Sequence, residues 1–275
     1  MVQTVLITGC SSGFGELAAT TFHSMGWNVV ATMREPSKCT ALRSGQRMQI
    51  TELDVTDTAS IDAAVAAGLS RYGAIDALVN NAGFGANGMF EQTVDAVVRM
   101  LFETNVFGVM NVTRAVLPGM RARGRGVIVN VTSMAGLFGV PGNSAYTASK
   151  FAVEGFTEAL ALEYRGLGII AKTVAPGAFS TTGFKHNVEY LVGTGDPQLR
   201  EHSQILRDHL TGAIHSDGQQ DAQVVADKIF ECVTCETPLH NAAGRDAAAM
   251  MRRLDESSTR QDFIDEIALR FLPEL

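Results

Sequence analysis

The chain has 275 residues, 46% of them hydrophobic, with 27 glycines and a formal net charge of −7. That length holds one large α/β domain or two small ones and can bury a sizeable core. The negative charge argues against a nucleic-acid surface, which needs a basic patch, and no run of 18 or more apolar residues is present to span a membrane.

Short apolar runs alternate with longer stretches of helical spacing. The first strand, Thr4–Thr8, starts by about Gln3 and leaves no room for a signal segment before it, so a cytoplasmic location is expected. Further strands are expected over Asn28–Thr32, Gln49–Leu53, Ala74–Val79, Gly126–Val131 and Ile169–Val174. Helical spacing falls between them, over Gly13–Met25, Thr58–Tyr72, Val94–Arg121 and Ala145–Arg165. The strand candidates are rich in β-branched residues and nearly continuous, as in strands covered on both faces. Regular β-α-β alternation implies right-handed crossovers and a doubly wound Rossmann fold: a parallel sheet of about seven strands with helices on both faces.

After Pro176 the pattern loosens. Residues 180–215 mix glycine, polar and scattered apolar side chains, and read as an irregular segment overhanging the carboxyl ends of the strands, where open α/β sheets bind ligands. The segment is expected to be a substrate lid, a plain surface excursion being the alternative. A helix over Val224–Cys235, a short seventh strand over Leu239–Ala243 and a helical stretch over 246–272 complete the chain. No repeat, low-complexity tract or linker divides it, so a single domain over 1–275 is expected.

Two motifs carry chemistry. Thr8-Gly9-Cys10-Ser11-Ser12-Gly13-Phe14-Gly15 joins the first strand to the first helix. Glycine permits positive φ and close backbone approach, and a helix amino terminus favours a pyrophosphate. A tight turn with no ligand is the alternative. Tyr146 and Lys150 are four residues apart and share one helix face, placing an ammonium beside a phenol. A free tyrosine has a pKa of roughly 10, and a neighbouring cation lowers it toward the range of a general acid or base. A surface tyrosine beside a solvated lysine is the bland reading. Ser133 stands thirteen residues upstream of Tyr146, after the run Val127-Ile128-Val129-Asn130-Val131.

With Asn80-Asn81-Ala82-Gly83, Asn105 and Pro176-Gly177, these residues give the chain a resemblance to the short-chain dehydrogenase/reductase family from Thr4 to about Gly177. The segments Val5–Gly13 and Thr147–Gly155 also resemble its steroid/retinol-type branch. The resemblance implies that Tyr146 exchanges the proton of a carbonyl or alcohol oxygen. Lys150 lowers its pKa and holds the nicotinamide ribose, and Ser133 hydrogen-bonds the same oxygen. Asn105 holds a water that links Lys150 to solvent; a helix kink or cap is its other reading. Asn81, Ala82 and Gly83 line the adenosine side with Val55. Asp54 binds the adenine amino group, or else caps the helix near Thr58. The glycine turn, Phe14 included, together with Pro176, Gly177, Phe179 and Thr181, contacts the cofactor.

Cofactor choice turns on the end of the second strand, Thr32-Met33-Arg34-Glu35. Met33 stands where an NAD enzyme of the family has an acid, and Arg34 suits a 2′-phosphate. Ser11 and Ser12 add hydroxyl donors. NADP(H) is therefore expected over NAD(H), although Glu35, if turned inward, would repel phosphate.

The substrate wall is expected from Met134, Ala135, Gly136, Leu137, Phe138 and Val140, faced by Phe179, Phe184, Tyr190 and Leu191, with Lys185 and His186 at the solvent side. An apolar ketone or aldehyde suits such a wall; packing of these residues against the sheet is the alternative. Cys10, Cys39, Cys232 and Cys235 read as free thiols; Cys232-x2-Cys235 lacks a second ligand pair, and no metal is expected. The expected function is NADP(H)-dependent interconversion of a carbonyl and a secondary alcohol in a homodimer or homotetramer paired through 94–121 and 145–165. The alternatives are an NAD-dependent alcohol, steroid or sugar dehydrogenase, and a non-catalytic NADP(H)-binding sensor, against which the set Asn105, Ser133, Tyr146 and Lys150 argues.

Overall fold

Every residue of the first strand, β1 (Thr4–Ile7), is buried. Val5 and Ile7 face one hydrophobic core and Leu6 the other, as a central strand with helices on both sides requires. The computed structural model describes residues 2–179, 188–190, 195–216 and 220–271. After β1 come α1 (Gly13–Ser24), β2 (Asn28–Met33), β3 (Met48–Glu52), α2 (Thr58–Tyr72), β4 (Ala77–Asn80) and β5 (Gly85–Asn87). Then follow α3 (Asp95–Phe102), α4 (Gly108–Arg123), β6 (Gly126–Val131), α5 (Ser144–Tyr164), β7 (Ile169–Pro176) and β8 (Val188–Tyr190). The chain continues with α6 (Pro197–Ser216), α7 (Gln223–Thr234), β9 (His240–Ala243), α8 (Arg245–Glu256) and α9 (Arg260–Phe271).

Seven strands form one parallel sheet in the order β3-β2-β1-β4-β6-β7-β9. The doubly wound fold read from the sequence is what the chain adopts. The winding reverses between β1 and β4, and in open α/β sheets ligands bind at that switch point, outside the carboxyl ends of the strands. One core packs Phe22 of α1 and Val225, Ile229 and Cys232 of α7 against β1 and β2. The other packs Ile61 of α2, Val112 and Val116 of α4 and Leu160 of α5 against Leu6, Leu78 and Ile128. α2 shows how local chemistry sets an element's ends. Asp57 accepts a hydrogen bond from Ala59 N at 2.9 Å, and Gly73, with φ of 80°, closes the last turn onto Leu69 O.

Three sequence expectations need correction. The helix expected over Val94–Arg121 is interrupted by a π-helical turn, Glu103–Phe107. Residues 180–215 are not irregular throughout. Val188–Tyr190 pairs in parallel with Gly85–Asn87, and Pro197–Ser216 is α6. α6 buries Ser203 and Leu206 and sets Leu210 against Phe138 and Phe263, a narrow stripe that its many polar residues conceal. The stretch 246–272 is two helices, with Thr259 Oγ1 accepting from Asp262 N where α9 begins. No helix among the described residues is long and apolar enough to cross a membrane.

Candidate active site

The glycine turn after β1 is built for close backbone approach. Gly9 and Gly13 have φ of 73° and 63°, the left-handed region that favours glycine. A Cβ on Gly9 would stand 2.8 Å from Ala82 Cα, and one on Gly15 would overlap Gly9 O. The turn after β4 clamps it. Asn81 Nδ2 donates to Thr8 O at 3.0 Å and Gly9 O at 3.1 Å, while Thr8 Oγ1 accepts from Asn81 N and Ala82 N, each at 3.0 Å. Ser12 makes no side-chain hydrogen bond to the first amides of α1, and Ser11 and Ser12 are exposed. This cradle, with amides and a helix dipole at its mouth, fits the pyrophosphate of a dinucleotide.

Beyond β2, Met33 is buried and Arg34 and Glu35 are exposed. Glu35 is paired with Lys38 at 2.7 Å. Asp54 is half-buried, and its Oδ1 accepts from Thr56 N at 2.9 Å and Thr56 Oγ1 at 2.8 Å. The cap of α2 is Asp57, so the capping role weighed for Asp54 is overturned. Val55 is buried against Gly108, where a Cβ would come within 2.7 Å of Val55 Cγ2.

The carboxyl ends of β4 and β6 and the start of α5 bring together Gly83, Asn105, Ser133, Tyr146 and Lys150. Asn105 lies buried in the π-helical turn, a local irregularity frequent at functional sites. Its side chain holds the backbone of Phe84 from both sides: Oδ1 accepts from Phe84 N at 3.1 Å and Nδ2 donates to Phe84 O at 2.9 Å. Nδ2 also donates to Ser149 Oγ at 3.2 Å. The side chain thereby braces the Phe84 backbone and the Ser149 hydroxyl. A Cβ on Gly83 would stand 3.0 Å from Asn105 Oδ1 and 3.7 Å from Lys150 Nζ.

Ser133 follows β6 and accepts from Ala135 N at 3.1 Å. Tyr146 is buried, with Lys150 Nζ 5.7 Å from its ring centroid. Lys150 Nζ donates to Val131 O at 3.1 Å. The direction of the tyrosine shift differs from the sequence expectation. Burial pushes the phenol up to about 12, with a hydrogen bond to Ser133 drawing it down. Burial pushes the Lys150 ammonium down to about 8, opposed by the Glu154 carboxylate. Desolvation therefore outweighs the attraction between charges. At neutral pH this leaves a protonated phenol beside a largely protonated amine. Sequence reasoning missed Thr8, Ser149 and the buried Glu154. Glu154 lies four residues beyond Lys150 on the same helix face, a legible signal, and meets His240 Nδ1 at 2.9 Å.

The expected substrate wall is only partly a wall. Phe138 is buried against Phe263, ring centroids 5.6 Å apart, in a cluster with Met250 and Ile267. Ala135 packs with Ala86, Leu101 and Tyr146. The packing alternative thus holds for Phe138. Pro176 and Phe179 are buried, and the Phe179 ring meets Phe14 edge-on at 5.3 Å. Thr181, Phe184, Lys185, His186, Leu191 and the side chain of Tyr190 lie outside the described residues. Cys232 is buried in α7 and Cys235 is exposed at its cap.

The family model for short chain dehydrogenase matches residues 3–190. A 3-ketodihydrosphingosine reductase of Bacteroides thetaiotaomicron is 42% identical over 196 residues, 70% of this chain and 71% of that protein. Retinol dehydrogenase 8 of Homo sapiens is 43% identical over 189 residues, 65% of this chain and 60% of that protein. Among solved structures, a short-chain dehydrogenase from Streptomyces avermitilis is 36% identical with a TM-score of 0.83, covering 98% of this chain and 97% of that one. A short chain dehydrogenase/reductase from Burkholderia phymatum in complex with NAD is 28% identical with a TM-score of 0.77, covering 93% of each chain.

Proposed function

The chain belongs to the short-chain dehydrogenase family, oxidoreductases that use a nicotinamide cofactor, and we propose that it reduces an apolar ketone or aldehyde with NADPH, with Tyr146 as proton donor. One observation carries this reading: the buried Tyr146 phenol is bonded to Ser133 and has the Lys150 ammonium 5.7 Å from its ring centroid, near the carboxyl ends of β4 and β6. When bound, the nicotinamide supplies the hydride to the carbonyl carbon or accepts it from the alcohol. Tyr146 gives its proton to the carbonyl oxygen, so the product is the alcohol. Ser133 holds that oxygen and orients it. Lys150 stabilises the phenolate left behind and, with its spare donors, holds the ribose hydroxyls. Asn105 fixes the Phe84 backbone and so the floor under Lys150.

NADPH is favoured by Arg34, exposed past β2, and by Glu35, whose carboxylate is engaged with Lys38. The competing reading, NAD use, is favoured by the NAD-bound Burkholderia neighbour. Met134, Leu137 and Val140 pack in part against the Phe138 and Phe263 cluster but stay half-buried close in sequence to Ser133, which leaves apolar surface for a bulky apolar substrate, and the names of the Bacteroides and human relatives point the same way. A second copy of the chain is the expected partner, through α4 and α5, and Phe151 and Leu162 of α5 are exposed for it.

The test is turnover of NADPH and NADH with ketones and aldehydes graded in apolar size. Reduction with NADPH is expected, with KM falling as the apolar group grows. Arg34→Ala should raise the NADPH KM by about 10- to 150-fold, the worth of one charge-assisted contact to phosphate, and leave NADH use alone. Equal use of both cofactors by the wild type, or turnover of only charged or polyhydroxylated substrates, would overturn the assignment.

A further inference from the structure

The carboxyl end of β7 is latched from outside the sheet by a residue far away in sequence. Gly177 donates its N–H to Ala243 O of β9 at 2.9 Å. Ala178 donates its N–H to Asp246 Oδ2, in the first turn of α8, at 2.7 Å. The other carboxylate oxygen, Oδ1, accepts from Gln220 Nε2 at 2.7 Å. Gln220 is itself buried, and its Oε1 accepts from Arg245 N at 2.6 Å. The fit leaves no slack: a Cβ on Gly177 would overlap the Asp246 carboxylate, and one on Gly244 would stand 3.0 Å from Gln220 Oε1 and 3.1 Å from Phe179 Cζ.

The latched segment runs across the candidate site. β7 pairs with β6, Val174 opposite Val131, so Pro176 leaves the sheet beside the segment that carries Ser133. Three residues later Phe179 rests on Phe14 of the glycine turn. A cofactor that reaches from the glycine turn to Tyr146 must run along residues 176–179. We propose that Asp246 is a positioning residue: with Gln220 it holds Gly177 and Ala178 where the nicotinamide end of the cofactor needs them. This rests on the oxidoreductase reading above. The carboxylate suits the task, because it sits at a helix amino terminus and accepts charge-assisted bonds from two donors.

Calorimetric titration of the full chain with NADPH and with 2′-phospho-ADP-ribose, which lacks the nicotinamide, tests the proposal. D246N turns one acceptor into a donor that faces a donor. It should weaken NADPH binding by about tenfold or more and leave 2′-phospho-ADP-ribose binding unchanged. The double variant D246N/Q220E exchanges donor and acceptor between the two side chains, keeps every bond of the latch, and should restore NADPH affinity. G177A, which displaces the carboxylate from the other side, should reproduce the D246N pattern and carries the comparison if D246N does not fold. If the protein takes NADH instead, NADH and ADP-ribose are the matched pair. An equal loss for the full and truncated ligands, no loss in D246N, or no rescue in the double variant overturns the proposal. A wild-type chain that binds none of these ligands overturns the oxidoreductase reading, and the latch's role with it.

Discussion

Two lysines on neighbouring elements are equally buried, Lys150 at 6% exposure and Lys172 at 5%, and the fold uses them differently. Lys172, on β7, donates to Cys232 O and Cys235 O, each at 2.9 Å, at the carboxyl end of α7. The last carbonyls of a helix lack intrahelical partners and carry partial negative charge, so this ammonium is a cap. Lys150, on α5, donates to the carbonyl of Val131, and its Nζ, which has further donors to offer, lies 5.7 Å from the Tyr146 ring centroid and 3.7 Å from where a Cβ on Gly83 would stand. A buried charge matched to a helix end is structural. A buried ammonium with one carbonyl partner beside a phenol is held there at a cost in stability, and the proposed reacting site rests on that pattern.

The largest effect that tests this contrast is on turnover. Tyr146→Phe should lower kcat by about 10²–10⁴-fold while NADPH still binds, since it removes only the proton donor. Lys150→Met should lose activity comparably and weaken NADPH binding, with no fall in melting temperature, because it removes a desolvated charge. Wild-type rates in Tyr146→Phe would sink the mechanism.

Lys172→Met should do the reverse. It leaves two helix-end carbonyls without their donor, a loss of about 1–3 kcal/mol of stability, which lowers the melting temperature by about 2–4 °C per kcal/mol. Its kcat should be unchanged. A kcat that falls as in Lys150→Met would erase the distinction between the two lysines.

The smallest effect is in the pH dependence. For ketone reduction, kcat/KM should decline as pH rises through about 8, where Lys150 loses its proton, while Tyr146, pushed up to about 12, stays protonated. Stability moves the other way. A lysine whose folded pKa lies below its ordinary 10.5 destabilises the fold while charged. That penalty is full below about pH 8 and fades as pH climbs toward 10.5. Melting temperatures of wild type and Lys150→Met should therefore converge between pH 7 and pH 10. A constant gap would mean that Lys150 is not desolvated as described.

Much of this was legible in the chain. The six strand runs up to Val174 lie within three residues of the observed strands, because β-branched clusters and their flanking helical periods are local signals. Thr58–Tyr72 is α2 from end to end, with Asp57 before it and Gly73 after it as ordinary stop signals. Helix α6 was not legible, because its buried stripe is thin and only acquires meaning against Phe138 and Phe263. The π-helical turn at Asn105 was hidden for a related reason: the extra residue in that turn is stabilised by Phe84 and Ser149, neither adjacent in sequence.

What the sequence determined by itself was the order of elements, the glycine turn and the placing of Tyr146 and Lys150 on one helix face, since each is written within a few consecutive residues. Only the tertiary structure decided the protonation of that pair, the packing of Phe138 away from the site and the seating of Asp246 on Gly177. Each of these depends on burial or on partners from distant parts of the chain. Desolvation and long-range hydrogen bonds exist only once the sheet has assembled, so no local pattern could have carried them.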